Sequence, residues 1–186
     1  WEPADGYLSG LVRRKLLAAK AAGLDANVAA LEKVQPEPWD ASQVTPTIGS
    51  NWIPATVYAD LIRHLGLEQA AVHYSQATNT FSVGAKGRAK PEWRTSDRGL
   101  DTDEILQRLL NSKPMRVMVP DGEGGSVFDE EATTESQMKA REIANEFMEW
   151  TFADDDRRDD LVGRFNEKFN TRVMRQRDGS HLTLPG

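Results

Sequence analysis

Cysteine is absent from the 186 residues, which removes disulfides, thiolate catalysis, cysteine-based zinc sites and iron–sulfur clusters together. Such a chain suits a reducing compartment, and a cytoplasmic location is the expectation. No apolar run approaches the ~18 residues of a membrane helix. The opening Trp1-Glu2-Pro3 lacks the basic, apolar and small-residue series of a signal peptide, so no membrane partner is expected. An initiator methionine is missing too, and the expectation is a segment of a longer polypeptide. Net positive charge is the last absence: 23 Lys and Arg stand against 29 Asp and Glu, a net charge of -6. Binding nucleic acid over the whole surface needs clustered cations to neutralise phosphates. Any DNA contact must therefore be local.

Hydrophobic residues make up 39% and charged residues 28% of the chain, enough for one domain with a core, or a main domain with a small helical appendage. The spacing predicts a helix over Ser9 to Ala22, stopped by Gly23, and a second helix capped by Asp25 and ended by Pro36. Pro46 to Asn51 is turn-rich. Pro54 suits the first turn of a helix whose stripe is Val57, Tyr58, Leu61, Ile62 and Leu65. Ala70 to Ser75 and Thr80 to Val83 read as a hairpin, and Asp101 with Glu104 as a capping box for a helix presenting Ile105, Leu106, Leu109 and Leu110. Met115 to Val119 and Ser126 to Phe128 flank a glycine-rich turn and form a second hairpin. Thr134 with Gln137 is expected to cap a long helix. A further helix carries Leu161, Val162, Phe165 and Phe169, after a solvated acidic loop over Asp154 to Asp160. The fold class is α+β: a helical hairpin and linker over 1–45, a mixed domain over 46–170 with two short β-hairpins packed on helices, and an extended linker over 171–186.

Catalytic and metal chemistry find little support. His64, His73 and His181 sit in separate elements at no ligand spacing, and no cysteine completes a set. No Gly-x-Ser-x-Gly elbow exists for Ser75 or Ser180. Gly122-Glu123-Gly124-Gly125-Ser126 lacks the Gly-Lys-Ser/Thr ending of a phosphate loop and carries acids that repel phosphate. No catalytic residue, metal or cofactor is expected. The constellation that does carry chemistry is basic. Lys86, Arg88, Lys90, Arg94 and Arg98 fall close together with only Glu92 and Asp97 as acids. Glycine and proline keep the stretch extended, its cations can reach phosphates, and Trp93 can stack on an exposed base. A solvated loop with Trp93 folded back on the core fits the same residues. Arg172, Arg175 and Arg177 form a weaker second group.

Several motifs resemble a known family. Tyr7-Leu8-Ser9-Gly10 followed by Val12-Arg13-Arg14-Lys15-Leu16, then Ala30-Leu31-Glu32-Lys33-Val34-Gln35-Pro36, is similar to the region after the methyltransferase part of very large phage and mobile-element proteins. Those proteins join an adenine DNA methyltransferase to a DEAD/DEAH-type helicase. Ile48-Gly49-Ser50-Asn51-Trp52-Ile53-Pro54 resembles their Leu-Gly-x-x-Trp-Ile-Pro element. Phe165-Asn166-x-x-Phe169-Asn170 and Asp178-Gly179-Ser180-His181-Leu182-Thr183-Leu184-Pro185-Gly186 resemble the run before their helicase core. The middle, about Leu67 to Gln137, matches more weakly. The resemblance implies a non-catalytic connector whose partners are flanking methyltransferase and helicase domains, together with the DNA phosphate backbone. Restriction, antirestriction and other mobile-element transactions describe the parent. The segment itself has no Asn-Pro-Pro-aromatic motif and no Walker lysine. A purely structural scaffold docking on the ATPase is the alternative.

Overall fold

A computed structural model describes residues 4–122 and 124–175. The fold is α+β, and among the described residues it comprises seven α-helices and two antiparallel two-stranded sheets. The chain clusters into two compact units, one formed by 1–44 with 160–186 and the other by 45–159. The expected partition into 1–45, 46–170 and 171–186 therefore changes at its C-terminal end. Residues from Asp160 onward group with the N-terminal helices instead of closing the mixed domain.

In the first unit, α1 (Ala4–Tyr7), α2 (Val12–Ala21) and α3 (Asp25–Glu32) surround Val12, Ala19 and Leu31, against which Tyr7, Leu8, Leu16, Val28 and Val173 pack. The first predicted helix, expected from Ser9, starts instead at Val12, and a short helix precedes it; between the two, Gly10, at φ 71°, pairs its backbone with Val173 in both directions at 2.8 and 3.0 Å. Lys15 Nζ donates to the carbonyls of Gly6, Tyr7 and Ser9 and so closes the end of α1. The Phe165-Asn166-x-x-Phe169-Asn170 motif lies on the last turns of α7 (Asp155–Phe169) and just beyond it. Its role here is mechanical. Asn166 accepts the Trp39 N–H and donates to the Trp39 carbonyl, both at 2.8 Å, while Asn170 donates to the Glu37 carbonyl at 2.7 Å. Phe165 meets the Trp39 ring at a centroid distance of 5.3 Å. The proline-rich strand-like segment is held by side chains because its prolines have few N–H groups to offer a backbone ladder.

The second unit is organised around α4 (Ala55–His64), with Pro54 at its N-cap, and the hairpin of β1 (Glu68–Ser75) and β2 (Thr80–Lys86). Tyr58 is buried between Phe147, stacked at 5.5 Å, and Phe81, edge-on at 5.3 Å, and donates its hydroxyl to the Ser50 carbonyl. Burial pushes its phenol pKa far up. The outer edge of β2 meets α5 (Thr102–Leu110). Gln107 and Asn111 act there as a substitute strand. Asn111 accepts the Phe81 N–H at 2.8 Å and donates back to its carbonyl at 2.9 Å, and Gln107 accepts the Val83 N–H at 2.7 Å. Edge groups that would otherwise invite another strand are thereby satisfied.

The second hairpin, β3 (Met118–Pro120) and β4 (Ser126–Phe128), is shorter than the expected 115–119 and 126–128 pairing. Its turn is closed by Asp121, which accepts the Gly125 N–H at 2.8 Å. The long helix α6 (Glu130–Ala153) begins one turn before the predicted Thr134 cap. Asp129 accepts the Ala132 N–H and so caps it earlier, while the hydroxyl of Thr133 is taken up by the Val117 N–H. The acidic loop expected over 154–160 does not form either. Only Asp154 separates α6 from α7, because Arg158 pairs with Asp155 and Asp159 along a continuing helix and Arg157 lies over the Trp150 ring at 3.7 Å.

Candidate nucleic-acid interface

The basic stretch begins as the last residue of β2. Lys86 sits in register with Glu68, and Gly87, at φ 95°, turns the chain away from the sheet. Close approach to α4 comes next. The Lys90 N–H donates to the Leu65 carbonyl at 2.9 Å, and a Cβ on Gly66 would lie 2.8 Å from Lys90 Cγ. Only glycine fits there. Pro91 to Trp93 then forms a 3-10 turn, in place of the extended path expected from its glycine and proline. The Trp93 carbonyl accepts the Thr102 hydroxyl at 2.9 Å, and Asp101, at the N-cap of α5, makes no side-chain cap bond.

Helix α6 pins the far side. Glu135 accepts from the Ser96 N–H at 2.7 Å and from its hydroxyl at 2.6 Å, buried Ser136 accepts the Leu100 N–H at 3.0 Å, and Lys139 Nζ donates to the Glu92 carbonyl at 2.7 Å. Three residues on one face of a helix hold a loop far away in sequence. No local spacing rule signals such partners, and sequence reasoning missed them.

The predicted site residues divide into four groups. Lys86, Arg88 and Lys90 are exposed, and none has a side-chain hydrogen bond or ion pair among the described residues. Trp93 is half-buried. Arg98 is exposed but already paired: its guanidinium bonds Asp129 at 2.5 Å and lies 3.8 Å from Glu131, so these carboxylates compete with any phosphate for it. Arg94 is half-buried and makes no ion pair among the described residues. It lines a cleft of about 270 Å³ together with Arg88, and its Nε–H is buried with no acceptor. Thr95, Ser96, Asp97, Asp101 and Asp103 line the same cleft, over an apolar floor that includes Leu67 and Ala89. Of the secondary cations, Arg175 pairs with Asp5, Arg172 is exposed, and Arg177 lies outside the described residues.

The two described histidines do not converge. His64 Nε2 lies 2.6 Å from Glu146 and the ring stacks on Trp150 at 5.5 Å, His73 is exposed on β1, and His181 lies outside the described residues. Among the described residues no group of three His, Asp or Glu can hold a metal ion, and no helix is long and apolar enough to cross a membrane.

The domain of unknown function DUF8437 matches residues 47–171, and the chain belongs to this family. The matched region contains the whole basic stretch, the cleft and the pinning face of α6. No curated protein and no solved structure matches the chain.

Proposed function

We propose that this DUF8437 member is a non-catalytic, DNA-engaging accessory module that connects methyltransferase and helicase parts of a larger cytoplasmic protein. One observation carries the DNA contact. Lys86, Arg88 and Lys90 present three unpaired cations on a segment whose backbone is fixed to α4 and α6. Holding the backbone lowers the ordering cost of binding, and exposed cations in fixed positions suit phosphates that recur along a strand. The exposed part of Trp93 supplies a stacking surface beside them. Support for the connector role comes from the resemblance of the 7–54 and 165–186 motifs to methyltransferase–helicase fusions.

The test is charge reversal. Lys86→Glu with Lys90→Glu should weaken binding of duplex and single-stranded DNA alike, with little dependence on sequence, because phosphates carry no sequence information. Unchanged affinity in that variant removes the site. A scaffold that docks on the ATPase without DNA contact is the second reading, and it draws on Met138 and Met148, which are 58% and 45% exposed on α6. It predicts no salt-sensitive DNA binding at all.

A further inference from the structure

The cleft beside the basic stretch has a composition that phosphate binding does not explain. Two arginines and three aspartates line it, yet no ion pair within 4 Å joins Arg88 or Arg94 to Asp97, Asp101 or Asp103. Opposite charges that share a cleft without pairing leave both donors and acceptors open to a ligand.

These groups select a ligand. Phosphates and carboxylates would meet three aspartates, and ammonium groups would meet two arginines. A neutral ring with acceptors along one edge and donors along another satisfies both sets. Guanine alone among the DNA bases presents two adjacent acceptors, O6 and N7, which a guanidinium fork meets in a bidentate fashion, and two adjacent donors, N1–H and N2–H, which match a carboxylate. Adenine places a donor beside N7, cytosine has a single amino donor next to its acceptors, and thymine has one N–H between two carbonyls. Leu67 and Ala89, both nearly buried, provide an apolar wall for a flat ring.

We infer that the cleft beside Arg94 binds one guanine whose Watson–Crick edge is unpaired, presented by a single DNA strand. The inference rests on the DNA-contact reading above, with Lys86 and Lys90 holding the flanking phosphates. Because N1–H and N2–H are occupied in a base pair, duplex guanine does not qualify. The cleft therefore makes the module selective for opened or displaced strands.

The experiment is fluorescence anisotropy of the full chain with a labelled oligothymidine carrying one central guanine, adenine, cytosine or 7-deazaguanine. Guanine should bind on the order of tenfold tighter than the others, the scale of one good bidentate base contact. In duplexes of the same sequences that preference should vanish. Asp101→Asn with Asp103→Asn, a pair of exposed positions, should bring the guanine-to-adenine ratio to about one. Arg94→Gln should do the same, with circular dichroism confirming that it folds. Excess guanosine should compete away the guanine advantage. Equal affinity for all four strands, still weakened by Lys86→Glu with Lys90→Glu, overturns the cleft assignment and leaves the phosphate reading standing. Absence of salt-sensitive binding to any strand overturns both.

Discussion

Arg98 donates to the Asp129 carboxylate at 2.5 Å, and the same carboxylate accepts the Ala132 N–H that opens α6. A cation that sequence position groups with the phosphate contacts is thus engaged in holding a helix start. Arg98→Ala should lower thermal stability and leave DNA affinity close to that of the unsubstituted chain, in contrast to Lys86→Glu with Lys90→Glu. An affinity loss for Arg98→Ala equal to that of the double reversal would return Arg98 to the interface.

Acid sensitivity follows from the same carboxylate. The Ala132 N–H, with the Arg98 charge beside it, holds the Asp129 carboxyl below the usual carboxylate range. The Ser42 hydroxyl and backbone do the same for Asp40, and Arg175 does so for Asp5. A depressed folded-state value means that the unfolded chain binds protons more readily. The stabilisation is complete above the unfolded value of about 3.9 and is lost as pH falls through the lower folded values. Thermal midpoints should therefore decline below about pH 4. Asp129→Asn, which keeps a capping side chain, should flatten part of that decline; an identical slope would show that Asp129 does not contribute.

Asn111 closes the edge of the strand that carries Lys86. Removing its amide in Asn111→Ala leaves the Phe81 N–H without its partner and the Phe81 carbonyl with the Gln107 amide alone, and Phe81 is buried. The expected cost is about 1–3 kcal/mol in denaturant unfolding. A loss well under that would mean water reaches the strand edge.

Asn166 performs a similar service in the other unit. Asn166→Ala removes both bonds to Trp39 and the bond to the Val162 carbonyl. Hydrogen exchange at the Trp39 amide should accelerate sharply, with a stability loss of about 1–3 kcal/mol. Unaltered exchange there would contradict the part given to this motif.

Legibility in the sequence tracked distance along the chain. Apolar spacing marked α4 and α5 because Tyr58, Leu61, Ile105 and Leu106 recur on one face, and that face is the one buried. The β1–β2 hairpin was visible from its β-favouring runs, though its strand extends to Lys86 and takes in the first basic residue. What failed was any feature with a competing partner. Asp101 takes the N-cap position of α5 without a side-chain cap bond, and Thr134 resembles a cap, but Asp129 acts first. The loop's cations were legible as charges, whereas their division into exposed, cleft-lining and helix-bound groups depends on Glu135, Ser136, Asp129 and α5, all remote in sequence.

The central claim is that a few fixed cations of an acidic chain meet DNA phosphates. The most direct measurement is the slope of log binding constant against log salt concentration for single-stranded and duplex DNA. Contacts from Lys86, Arg88 and Lys90 predict a slope of about -2 to -3, reduced in magnitude by about 2 in Lys86→Glu with Lys90→Glu. A slope indistinguishable from zero, or one that the double reversal leaves unchanged, would contradict it.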